Sequence, residues 1–249
     1  MEKAKTIDLP WATTIQLLVI LGGIPFFALL DSPFLTSYFS YDQNVSNTVM
    51  LVFYTWLLII SERKLYWLIL LMTICSLGAE IIGTYIITAY RYRLDNIPIY
   101  IPLGHAVIYT TAYQLCRHSI VWRFRKPIEK NLKCIAFFVC FFSLVFLNDV
   151  GGFLCYLIFL ILLATRKKPL FYLCMFFIVY FVEISGTALS TWVWYGQLNN
   201  HPEYPSTTIF PSGVAGLYGM VDIVCNFSYI TVRKIIHRFK LKLNKVCTV

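Results

Sequence analysis

"EIIGTYIITAYRY", from Glu80 to Tyr92, and "EISGTALSTWVWY", from Glu183 to Tyr195, are nearly the same phrase written twice. Aligned on the glutamates, they match Ile81 with Ile184, Gly83 with Gly186, Thr84 with Thr187, Thr88 with Thr191 and Tyr92 with Tyr195. The likeness continues downstream, where "PLGHAVIY" from Pro102 meets "PSGVAGLY" from Pro211 at Pro, Gly, Ala and Tyr. Two matches in the same order point to a duplicated unit. A carboxylate in the middle of each apolar copy is the feature that needs a reason.

Composition sets the frame. The chain of 249 residues is 59% hydrophobic and 13% charged, whereas a soluble domain carries about 25% charged residues. Its apolar residues come in long runs, and a membrane span needs about 20 of them. The expected class is an all-α, polytopic transmembrane helix bundle, one domain over residues 1–249. Eight apolar segments can be drawn: Trp11–Leu30, Thr48–Ile60, Tyr66–Tyr90, Ile97–Cys116, Cys134–Leu147, Val150–Thr165, Pro169–Tyr195 and Ile209–Val232. "LNDVGG" at 147–152 reads as a tight turn between two of them.

Charge supports that count. With the N-terminus in the cytoplasm, all of the 21 Lys and Arg residues except Arg91 and Arg93 fall on the inner side. That is the positive-inside pattern, and it predicts both termini in the cytoplasm of a multi-pass protein, in the inner membrane if the source is bacterial. The net charge of +9 is then a topology signal. Nucleic-acid binding is excluded, because no stretch is long enough for an extramembrane domain. The first apolar run lacks a cleavage site and reads as an uncleaved span. The tail, 233–249, alternates basic and apolar residues as a surface helix on anionic lipid does.

The two copies place repeat 1 at about 11–116 and repeat 2 at about 134–232, four spans each. Both run in the same sense, so they are expected to be parallel repeats about an axis along the membrane normal, with a shared site between them. On a helix Glu80, Gly83, Thr84 and Thr88 form one stripe, as do Glu183, Gly186, Thr187 and Thr191. Small residues and threonines on such a stripe face other helices.

A mid-membrane charge costs about 2.5–3.5 kcal/mol on insertion scales, so each carboxylate needs a partner or a task. Exclusion of water favours the neutral form of a carboxyl group, which can then donate a proton. Counting depth at about 1.5 Å per residue, His105 lies level with Glu80 and Asp222 comes near the level of Glu183. These four are the candidate catalytic residues. Thr84, Thr88, Tyr109, Thr187, Thr191 and Tyr218 are the candidate substrate-binding residues around them. The plainer alternative is a glutamate that locks two helices through Thr or Tyr. Tyr90, Tyr92, Trp192, Trp194 and Tyr195 read most simply as an interfacial aromatic belt, and Asp149 as a turn residue.

Other chemistry is poorly supported. The eight cysteines form no CxxC pair and sit mostly in apolar runs as small hydrophobes. No HxxxH or ExxH spacing signals a metal, and no glycine-rich phosphate loop or Ser-His-Asp order stands out. No cofactor is expected.

The pattern of a Glu, then Gly, then an outward span ending in Tyr, followed by "PLG" at 102–104, resembles carotenoid-biosynthesis membrane proteins. Among those are hydratases that add water to an isoprenoid end group. The resemblance covers mainly residues 76–115 and, more faintly, 179–220. It implies proton-handling roles for Glu80, Glu183 and Asp222 and an isoprenoid, carotenoid-like substrate. Beside the resemblance, the residues themselves suit an enzyme using acid–base chemistry on an apolar lipid held in the bilayer. A proton-coupled transporter or a non-catalytic membrane assembly protein has the same intramembrane carboxylates.

Overall fold

The computed structural model describes residues 11–39 and 43–246. Within them the chain is mostly helical. Its elements are α1 (Trp11–Leu30), α2 (Pro33–Tyr38), α3 (Asn44–Ile60), α4 (Arg63–Ile81), β1 (Tyr90–Tyr92), α5 (Tyr100–Leu115), α6 (Ser119–Arg123), α7 (Arg125–Leu147), α8 (Val150–Thr165), α9 (Pro169–Ala188), β2 (Trp192–Trp194) and α10 (Ala215–Val246). Lys3, Lys5, Cys247 and both chain ends lie outside the described residues.

Four helical stretches are long and apolar enough to cross a membrane: Leu65–Ile86, Arg125–Leu147, Pro169–Ala188 and Ala215–Ile236. Shorter apolar helices cover Thr14–Leu30, Asn44–Ile60 and Val150–Thr165. The outer faces of these helices carry bare hydrophobic side chains, among them Phe138, Phe146, Ile161 and Phe227. Water would not tolerate so continuous an apolar coat, whereas lipid does. The chain is an integral membrane protein.

Local chemistry sets the breaks. Asn148 takes a left-handed conformation (φ 53°) that closes α7, and the Asp149 carboxylate accepts the Gly152 N–H at 3.0 Å to open α8. The "LNDVGG" turn therefore separates two full helices. Ser32 and Pro33 start α2 in the same way, with the Ser32 hydroxyl accepting the Leu35 N–H. The α7 helix begins at Arg125, nine residues before the expected Cys134, because its first turns run through the polar "RKPIEKNLK". Basic residues do not break a helix that emerges from an apolar layer.

Two expectations about span ends are corrected. The apolar segments expected to run on to Tyr90 and Tyr195 stop being α-helical at Ile81 and Ala188. After α4 a π-helical turn covers Ile82–Ile86. The chain then doubles back, and β1 pairs antiparallel with β2: Tyr90 opposite Trp194, Arg91 opposite Val193, Tyr92 opposite Trp192. The bundle is therefore not purely helical. Aromatic residues alternating with others at period two suit a strand.

Packing places α5 and α9 at the centre, in contact with each other, with α4 and α10 packed together beside them. The buried apolar cluster runs through all four, from Leu68 and Ile69 through Ala106 and Ala112 to Leu173, Phe176 and Cys225. At the strand end Asp31, almost fully buried, accepts hydrogen bonds from Arg93 (2.5 Å), Tyr100 (2.7 Å) and Gln43 (3.0 Å). Asp149 similarly accepts the Ser212 N–H at 2.8 Å. Each aspartate fastens a long loop to a helix end.

Candidate functional site

The strand pair turns four aromatic side chains back onto the two glutamates. Glu80, near the end of α4, accepts the Tyr90 hydroxyl at 2.8 Å and the Tyr92 hydroxyl at 2.6 Å, both on Oε2. Glu183, near the end of α9, accepts the indole N–H of Trp192 and of Trp194, each at 2.9 Å, also on Oε2. The two carboxylates are thus held alike, by two donors from the strand that comes after their own helix. The belt expected of Tyr90, Tyr92, Trp192 and Trp194 is a pair of ligating arms instead; Tyr92 and Trp192 are buried.

Both glycines of the repeated phrase serve this fold-back. A Cβ on Gly83 would lie 2.6 Å from the Tyr90 hydroxyl oxygen, and one on Gly186 would lie 2.0 Å from Cζ2 of Trp192. Each returning ring packs on helix backbone that only glycine leaves bare. The expectation that these glycines mark helix–helix contacts gives way to a ring-on-backbone contact.

The spatial counterparts differ by one residue from those aligned in the sequence. Thr88 (φ 51°) and Ser190 (φ 55°) hold the left-handed corner before each strand, eight residues after Glu80 but seven after Glu183. The π-helical turn in the first copy accommodates the additional residue. Tyr90 therefore corresponds to Trp192 and Tyr92 to Trp194.

The third polar neighbour distinguishes the two carboxylates. Nε2 of His105, one turn into α5, lies 2.8 Å from Oε1 of Glu80. Its ring stacks on Tyr218 of α10, centroids 4.5 Å apart and 14° from parallel. The Tyr218 hydroxyl reaches Oε1 of Glu183 at 3.4 Å. A chain of contacts therefore runs Glu80, His105, Tyr218, Glu183 across the interior.

This chain borders a cavity of about 550 Å³, within the range of small-molecule sites. Its polar lining groups are few: Glu80, His105, Glu183, Thr191, Thr207, the four strand aromatics, Tyr100 and Tyr218. The remainder is mostly aliphatic or aromatic, from α1, α3, α4, α5, α8, α9, α10 and the segments between them. No Lys or Arg lines it. Ile82, Ile87, Leu217 and Met220 line the cavity and are each more than a third exposed.

The other sequence candidates fall in different places. Thr191 lines the cavity but donates its hydroxyl to the Ala28 carbonyl at 2.8 Å. Thr187 donates to the Glu183 carbonyl at 2.6 Å, a bond within α9. Thr84 sits half-buried on the π-helical turn, and Thr88 lies beyond it, off the helical stripe. Tyr109 is buried edge-on against Phe171, away from the cavity lining.

Asp222 is not at the level of Glu183. It accepts the Tyr172 hydroxyl at 2.7 Å and the Asn226 amide at 2.6 Å. Tyr172 stands in the first turn of α9, and Glu183 about three turns further on. The depth count failed because residues 209–214 enter the bundle without α-helical rise. They are already buried from Phe210 before α10 begins at Ala215.

Among the described residues no group of His, Cys, Asp and Glu is arranged to hold a metal. Comparison with family models, curated proteins and solved structures gives no match. The site must be read from its own chemistry.

Proposed function

We propose that this protein is an intramembrane enzyme that moves a proton onto or off an apolar lipid, with an isoprenoid as the favoured substrate class. One observation carries the reading: two carboxyl groups and an imidazole converge in an otherwise apolar cavity, part of whose wall is made of exposed aliphatic residues. Glutamates kept only for helix locking need no cavity between them. A water-soluble substrate would want polar walls and an aqueous mouth. An alkene or polyene needs a strong acid kept from bulk water, a role a buried carboxylic acid can fill.

In this reading the chain makes eight crossings as two parallel four-helix repeats, with both termini in the cytoplasm. The like treatment of Glu80 and Glu183 by their own strands supports the repeat. The short helices α3 and α8 cross with the aid of local thinning of the bilayer. Substrate enters sideways past Ile82, Ile87, Leu217 and Met220, and its reactive end reaches the polar chain. The isoprenoid assignment rests on the resemblance of residues 76–115 and on the apolar lining.

The test is a lipid profile. Isoprenoid and polar-lipid extracts of cells expressing the wild-type protein should contain a product absent from cells carrying an empty vector, and be depleted of one precursor. Identical profiles across isoprenoid-producing hosts would sink the enzymatic reading. Proton-driven movement of a small solute by proteoliposomes would replace it with the transporter.

A further inference from the structure

If the cavity moves protons, as proposed above, one of its carboxyl groups must hold a proton at rest. We infer that Glu183 is the resident neutral acid of the cavity, while Glu80 and His105 form an anion–cation pair that adds no net charge to it. A relay through His105 would favour the opposite, Glu80 as the acid. Two features of the geometry reverse this.

The first is charge counting. The ionisable lining groups that act near neutral pH are Glu80, Glu183 and His105, and no Lys or Arg is among them. Burying net charge in an apolar interior is costly unless it is paired. The neutral arrangement with a proton on the imidazole contains one carboxylate and one carboxylic acid. His105 stands 2.8 Å from Glu80, so the ion pair forms there and Glu183 keeps its proton.

The second is donor chemistry. An indole N–H only donates, so the two bonds from Trp192 and Trp194 make Oε2 of Glu183 a pure acceptor. The acid proton must then sit on Oε1, whose one partner is the more distant Tyr218 hydroxyl at 3.4 Å. That leaves the O–H available to a substrate. Two N–H donors on the other oxygen also hold the carboxylate formed once the proton leaves. At Glu80 the two tyrosine hydroxyls meet Oε2 and the imidazole meets Oε1, so the one group that can supply a countercharge stands on this carboxylate.

The proton transfer balances in atoms and charge. The Oε1–H bond of Glu183 breaks and the proton goes to one carbon of a substrate double bond. The π electron pair becomes the new C–H bond, and the neighbouring carbon becomes a cation. The rings of Tyr90, Trp194 and Tyr218 border this space and favour a cation over their faces. The cation discharges by losing a proton from an adjacent carbon, or by capture of a water molecule that releases one. Either proton restores the acid on Glu183.

Infrared spectroscopy of the purified protein tests this without any substrate. A protonated carboxyl gives a carbonyl stretch that shifts in D2O, and uniform ¹³C-glutamate labelling separates Glu from the buried Asp222. The other described glutamates, Glu62, Glu129 and Glu203, are exposed or half-buried and lie outside the cavity. Wild type should show the band of one protonated Glu. It should vanish in Glu183→Gln, persist in Glu80→Gln and rise to two-Glu amplitude in His105→Gln, where no cation remains. A labelled wild-type protein without the band, or loss in Glu80→Gln with retention in Glu183→Gln, would overturn the assignment. Absence of the wild-type band overturns the assignment even if a variant fails to fold. A transporter with this proton count gives the same spectra, so the band and the lipid profile fail independently.

Discussion

Gly186→Ala is the smallest change that should dismantle the site. The new Cβ would stand 2.0–2.4 Å from Cζ2, Cη2 and Cε2 of Trp192, closer than any carbon contact survives, so the indole must leave helix α9. Overpacking of this kind costs about 1–3 kcal/mol, and a hydrogen bond to a carboxyl lost with it about 1–3 more. The gain in helix propensity returns about 1 kcal/mol. A net loss of about 1–5 kcal/mol results from those ranges. The assay is thermal unfolding of the detergent-solubilised protein, read with tryptophan emission, which should shift as Trp192 is displaced. Gly78→Ala is the control: nothing lies within 4 Å of its Cβ, and a gain of up to about 1 kcal/mol is expected. In a Trp192→Leu background the cost of Gly186→Ala should largely disappear. A Gly186→Ala protein as stable as wild type, with unchanged emission, would refute the fold-back of the strand onto α9.

The other predictions use similar assays. Arg93→Ala should cost about 3–5 kcal/mol by stranding the buried Asp31 carboxylate, while Arg91→Ala, exposed beside it, should stay within about 0.5 kcal/mol. Asp149→Ala removes the cap of α8 and the acceptor for Ser212 N–H, a loss of about 1.5–5 kcal/mol from the two effects together; Asp149→Asn should recover part of it. Arg91→Cys combined with Val193→Cys, at positions that face each other across β1 and β2, should give an intrachain disulfide found as a cross-linked peptide by mass spectrometry. Its absence under oxidation would count against the strand pairing.

Helices were the legible part of this chain, for a physical reason. Their ends at Leu30, Ile60, Leu147 and Thr165 are marked by residues that break an apolar run: Asp31 with Pro33, Ser61 with Glu62, Asn148 with Asp149, and Arg166. The ends at Ile81 and Ala188 carry no such mark. The residues after them are as apolar and aromatic as those before, and a span, an interfacial belt and a strand all accept Tyr and Trp. The period-two spacing of Tyr90 with Tyr92 and Trp192 with Trp194 was the available signal. Its meaning depends on a pairing between positions about a hundred residues apart, which no local pattern announces. Glu80 meets His105 although α4 stops at Ile81 rather than running to Tyr90, whereas Asp222 lies away from Glu183 because the entry to α10 is irregular.

The central claim is that the two glutamates are present for proton chemistry on a lipid. Gln keeps the size and the acceptor oxygen of Glu, so indole and phenol donors stay paired, but it has no proton to give. The decisive measurement is the yield of the converted lipid in cells expressing Glu183→Gln at wild-type level, with the purified variant melting within a few degrees of wild type. The account predicts a folded protein with product lost, and Glu183→Leu destabilised as well, since unpaired buried donors cost about 1–3 kcal/mol each. Full product from both Glu183→Gln and Glu80→Gln, at normal expression, would contradict it and leave the carboxyl groups as clasps that hold the strands.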